Sequence, residues 1–162
     1  MLVPFNTLPD TARLWVYQAS RPLTIDELKG IETQASNFIE SWTAHQAGLR
    51  AGFQVLYNRF VIIAVDENYN DASGCSIDKK VNFIKQVGEE LKIDFFNRLQ
   101  IAYLHNDAIQ IAGMHELAGL IKSGSLSDET IMFNNLVSTI EELNNKWKVP
   151  VRQSWLQQLV SH

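Results

Sequence analysis

Apolar and polar residues alternate from Ala12 to Ala19, with Leu14 and Val16 on one face and Trp15 and Tyr17 on the other, the pattern of a half-buried strand. Pro22 ends that strand, and Thr24 with Glu27 three residues on forms a capping box that opens a helix over 25–43. Within that span Leu28, Ile31, Ala35, Phe38, Ile39 and Trp42 recur at helical spacing. Alternation returns from Leu49 to Tyr57. After a turn at Tyr57-Asn58-Arg59, the near-continuous apolar run Phe60 to Val65 reads as the second, buried strand of a hairpin.

Ser76 is placed to cap a second helix, with Ile77, Val81, Ile84, Val87 and Leu91 as its apolar stripe, Asp78 near its positive end and Lys92 near its finish. Two short strands, Leu99 to Leu104 and Ala108 to Met114, flank His105-Asn106-Asp107, and a short helix follows over 115–121. Thr130 to Val137 fits either a strand or a helical turn. Ser138 with Glu141 is a second capping box, opening a helix towards Trp147 that Pro150 stops. A last amphipathic segment, Ser154 to Val160, carries Trp155, Leu156, Leu159 and Val160. The order β-α-β-β-α-β with C-terminal additions predicts an α+β fold with an antiparallel-rich sheet, helices mainly on one face and a ferredoxin-like start.

Composition narrows the class. The 162 residues, 46% hydrophobic and 20% charged, are those of an ordinary globular chain, and no repeat, low-complexity stretch or linker divides it, so a single domain over 1–162 is expected. The run Phe60 to Val65 is far shorter than the ~20 residues a membrane helix needs, so no membrane insertion is expected. No basic residue precedes Arg13, and Pro4, Pro9 and Asp10 interrupt any apolar leader, so no secretory signal is read. Cys75 is the single cysteine, which fits a reducing compartment, and a cytoplasmic location is expected. A net charge of −4 without a Lys/Arg cluster argues against a nucleic-acid partner.

The chemistry-bearing motifs each fail at a required position. Gly119 to Ser125 has the glycine spacing of a phosphate loop with Ser125 where the lysine belongs, which reads as a helix ending at a capping glycine. His115-Glu116 begins a zinc-protease pattern whose second histidine position holds Gly119. Ser76 and Lys79 have the spacing of a penicillin-recognising serine and lysine, without the partner motifs. Asp66, Asn68 and Asn70 have calcium-loop spacing, but Asp71 and Ile77 replace the glycine and glutamate of an EF-hand. His45, His105, His115 and His162 lie far apart, so no metal site and no cofactor are expected. The strand aromatics lack the glycine-containing signature of an RNA-binding sheet.

What remains is the loop Ala72 to Asp78, which runs from a buried strand into a helix and could offer free N–H groups to an anion or activate Cys75, while Asp66, Asp71 and Asp78 oppose both by adding negative charge. The reading that follows is a non-catalytic binding or regulatory module with an unknown protein or small-molecule partner. The alternative is a small enzyme or ligand-binding protein using loop 66–78, with Cys75, Asp66, Arg59 and His45 as candidate catalytic groups and Ser73, Gly74, Cys75, Ser76 and Asp78 as candidate ligand contacts. The apolar C-terminal segment suggests a homodimer.

Several stretches resemble one family: Phe5 to Pro9, Ala12 to Gln18, Trp42 to His45, Tyr57 to Glu67, Ser73 to Asp78, Phe133 to Val137 and Ser154-Trp155. They are similar to a family of short uncharacterised bacterial proteins that sometimes carry the label "ABC transporter ATPase", and the likeness covers most of the chain. An ATPase of that kind requires a complete phosphate loop and an LSGGQ-type signature, which this chain lacks, so the resemblance implies neither an activity nor a site here.

Overall fold

The computed structural model describes residues 1–160, so His162 lies outside the described residues. The first half of the chain runs β1 (Arg13–Gln18), α1 (Ile25–Glu40), a small hairpin of β2 (Thr43–Ala44) and β3 (Ala47–Gly48), β4 (Ala51–Leu56), β5 (Phe60–Val65) and α2 (Gly74–Leu91). β1, β5 and β4 form one antiparallel sheet in that order, so β1 and β4 point the same way with β5 between them. The second half adds β6 (Gln100–His105), β7 (Ala108–Gly113), α3 (Leu117–Ser123), β8 (Ile131–Phe133), α4 (Ile140–Lys146), β9 (Lys148–Pro150) and α5 (Gln157–Val160), with a second antiparallel sheet ordered β7-β6-β8-β9.

Two cores explain why every residue of β5 is buried. Val61, Ile63 and Val65 face α1 and α2, packing with Ile31, Ile39, Ile84 and Val87. Phe60, Ile62 and Ala64 face the second sheet, where they meet Ala102, Phe133 and Trp147. A third core lies on the far side of that sheet and gathers Ile101, Tyr103 and Met132 with Leu117, Leu126 and Leu156. The layers therefore run helix, sheet, sheet, helix. A strand hydrophobic on both faces needs a layer on each, which is what the unbroken run Phe60 to Val65 required.

The α+β class and the antiparallel pairing agree with the sequence pattern, and the capping box at Thr24 and Glu27 is present in both directions. Local boundaries differ. α1 stops at Glu40 rather than residue 43, because Thr43 and Ala44 turn into the β2–β3 hairpin and Trp42 anchors the exit by donating its Nε1–H to the Ser76 carbonyl at 2.9 Å. The cap of α2 is Ser73, whose Oγ accepts from the Ser76 N–H, so Ser76 lies inside the first turn and Asp78 beyond it. Likewise Thr139, not Ser138, caps α4 by accepting from the Glu142 N–H, while the Glu142 carboxylate receives the Ser138 N–H and hydroxyl. Residues 130–137 resolve as the strand β8 followed by a turn.

One topological choice positions the cleft described below. In a ferredoxin-like unit the strand after the second helix lies beside the first strand. Here β6 instead joins the second sheet, and among the described residues the outer edge of β1 receives only the Leu14 N–H to Ser138 carbonyl bond of 2.9 Å and a bridge from Arg13 to Thr139.

Candidate functional site

A cleft of about 810 Å³ follows that open edge, within the volume range of small-molecule sites. β1 forms its floor, α2 and the segment after it form one wall, and β6, β8 and residues 135–138 form the other. The pairing of β1 fixes what the floor exposes. Ala19 N–H donates to the Arg59 carbonyl across the sheet, and Leu14 N–H donates outward, so alternation turns Val16 and Gln18 outward as well. Their backbone N–H groups have no backbone partner among the described residues. One end of the cleft is closed by the Ser138 contact. The other is closed by a relay: Trp147 Nε1–H donates to Asn135, Asn135 Nδ2 donates to Gln18 Oε1 at 2.9 Å, and Gln18 Nε2 donates to the Gln100 carbonyl.

The charge of the walls is one-sided. Arg13, Lys80, Lys85 and Arg98 line the cleft and, among the described residues, no acidic residue does, in a chain whose net charge is −4. Arg13 has a loose ion pair at 3.7 Å to Glu67, which lies outside the lining; Lys80, Lys85 and Arg98 have none among the described residues. The apolar part mixes aliphatic side chains such as Leu14, Val16, Ile77 and Met132 with the rings of Trp15, Tyr17, Phe95, Phe96 and Trp155, and Phe96 and Trp155 are exposed although large and hydrophobic. Leu156, next to Trp155, is buried in the chain's own third core, so the C-terminal segment packs inward and presents Trp155 to the cleft.

Lys80 is the unusual member. Only 1% exposed, it lies on the buried side of α2 and brings its Nζ to 3.5 Å from the Trp15 ring centre and 5.3 Å from that of Tyr17. Arg13 stacks on the same indole, its Cζ 4.9 Å from the ring centre. Burial pulls the Lys80 amine down to about 7, and the positive charge of Arg13 acts in the same direction. The Tyr17 hydroxyl moves the opposite way, raised to about 12 by burial against the opposing pull of Arg98, so it stays protonated at neutral pH.

The residues singled out from sequence lie elsewhere and do not converge. Arg59 starts β5 and Asp66 follows its end, about 20 Å apart for an extended strand of that length. Arg59 is buried and donates to the Ala19 carbonyl, its charge disfavoured by burial, so it does not stand beside Cys75. Asp66 is buried too, in an ion pair with Arg50 at 2.8 Å and accepting the Asn68 N–H. His45 occupies the exposed β2–β3 turn at φ 52°, a turn tied to the loop through Asn70, whose side-chain amide donates to the Ala44, Ala47 and Gly48 carbonyls. Cys75 is exposed. Ser73 spends its hydroxyl as the helix cap, Ser76 is buried beneath Trp42, Gly74 and Asp78 are exposed, and none of the five candidate contacts lines the cleft. Among the described residues no group of three metal-binding side chains gathers.

Sequence reading passed over Lys80, although one signal was there. It stands four residues before Ile84 and seven before Val87, inside the stripe that packs on the sheet. A lysine in that register is either neutral, paired or aimed into a cavity. Comparison with protein-family models, curated proteins and solved structures returns no match. Among the described residues no helix is long and apolar enough to cross a membrane.

Proposed function

We propose that this chain is a binding module whose ligand is a small organic anion with a flat, apolar portion, taken up in the cleft along β1. The observation that carries the reading is the lining itself: among the described residues, four cationic side chains and no acidic one, together with several aromatic rings. A low-dielectric pocket of one sign concentrates the opposite charge, and a few convergent polar groups fix its orientation. The outward N–H groups of Val16 and Gln18 add uncharged donors on the floor. Trp15, Phe96 and Trp155 supply faces for the flat part, which assigns the exposed Trp155 to ligand rather than to a second copy of the chain.

Calorimetry with phenylacetate and its neutral counterpart 2-phenylethanol tests this. Phenylacetate binds, the alcohol binds far more weakly, and reversing an exposed wall charge with Arg98→Glu or Lys85→Glu weakens phenylacetate by about tenfold, the equivalent of 1.4 kcal/mol. Equal affinity for acid and alcohol would remove the charge from the account.

A further inference from the structure

We propose that Lys80 holds the ligand through a reversible imine, so that the ligand is an aromatic 2-oxo acid whose ketone carbon meets Lys80 Nζ and whose carboxylate pairs with Arg13. This rests on the anion-binding reading of the cleft and names the chemical class within it. The Lys80 side chain is almost wholly covered and forms part of the cleft wall, and its amine has no ion-pair partner among the described residues. A buried lysine that served only the fold would be expected to carry a carboxylate partner. Lys80 instead shares one indole with Arg13, its Nζ at 3.5 Å and the Arg13 Cζ at 4.9 Å from the ring centre. A 2-oxo acid carries its electrophilic carbon and its carboxylate on adjacent atoms, which suits an amine and a guanidinium placed around one ring. The rest of an aromatic 2-oxo acid is a flat group of the kind that Phe96 and Trp155 can face.

The step balances without an oxidant or metal. The nitrogen lone pair attacks the ketone carbon, the carbonyl π electrons pass to oxygen, and a proton moves from nitrogen to that oxygen to give a carbinolamine. Loss of water then leaves the C=N bond, and addition of water reverses the sequence. A nucleophilic lysine must be unprotonated, and burial leaves a substantial neutral fraction of Lys80 at neutral pH, with its value near 7.

The test incubates the intact protein with phenylpyruvate and sodium cyanoborohydride, whose hydride reduces an imine to a stable secondary amine, and maps the product by peptide mass spectrometry. A single adduct on Lys80 is expected, suppressed by excess phenylacetate, which has the carboxylate and ring but no ketone, and lost in Lys80→Arg. Mapping and competition on the unaltered protein decide the matter even if the arginine variant folds poorly. Adducts spread over exposed lysines such as Lys29, Lys79 and Lys92, with none favoured at Lys80, overturn the imine. If phenylacetate still binds in that case, the anion reading stands without the imine. If it does not bind, both fall.

Discussion

A charged group buried without a partner imposes a pH dependence whose sign is fixed. Lys80 titrates near 7 in the folded chain and near 10.4 when exposed, as in unfolded chain. Between those values the unfolded chain binds a proton that the folded chain does not, so the stability attributable to Lys80 rises with pH across this window, and the full cost of burying the ammonium applies below it. Lys80→Met should therefore stabilise the protein more at pH 6 than at pH 10.5, by a difference on the order of 3 kcal/mol once the lost contact with Trp15 is set against it. Urea denaturation of both proteins at the two pH values measures it, and a pH-independent difference would mean that Lys80 titrates at the same pH in the folded and unfolded chain. Of the residues, those that organise the chain locally were legible in the sequence, such as Thr24, Glu27 and the capping Gly124 at φ 80°. The cleft residues were not, because Arg13, Lys80 and Arg98 come from β1, α2 and the segment before β6, and only the folded topology brings them to one cleft.

Elements were readable where one periodicity persisted. β1, β5, α1 and α2 follow the sequence pattern closely, whereas the two-residue strands β2 and β3 are too short for alternation to register. Their turn is also unfavourable in composition, since His45 and Gln46 both sit at positive φ, 52° and 66°, a region that suits Asn and Gly. Replacing His45-Gln46 with Asn-Gly should raise stability by about 1 kcal/mol, read as a higher urea midpoint at unchanged slope, while a loss of stability would show that the His45 side chain contributes a contact of its own. The exit of α2 makes the converse demand. A Cβ on Gly88 would stand 2.6 Å from the Ile93 carbonyl oxygen, where the chain folds back to make the Ile93 N–H to Gly88 carbonyl bond of 2.9 Å. Gly88→Ala should cost about 1–3 kcal/mol despite alanine's better helix propensity, and a neutral result would mean that the turn after α2 shifts freely.

At the scale of the whole molecule, the divergence of β6 into a second sheet separates this chain from a simple βαββαβ unit and leaves the cleft along β1. That divergence has no local signature: β6 carries the same apolar run Ile101 to Leu104, fit for burial on both faces, whether it pairs with β1 or with β8. The same scale disposes of the phosphate-loop likeness, because Leu117–Ser123 is helical and Gly124 closes it, leaving no open loop of N–H groups for a nucleotide. Purified protein should show no Mg²⁺-dependent ATP hydrolysis above the buffer rate, and hydrolysis abolished by Lys122→Ala would contradict that placement. The central claim, that an organic anion binds along the open edge of β1, is tested most directly by a two-dimensional ¹⁵N–¹H NMR titration with phenylacetate. The account predicts that the backbone N–H signals of Val16 and Gln18 and the indole signal of Trp15 shift together and saturate, while those of Gly74, Cys75 and Asp78 stay in place; shifts confined to the 73–78 loop, or none at all, would contradict it.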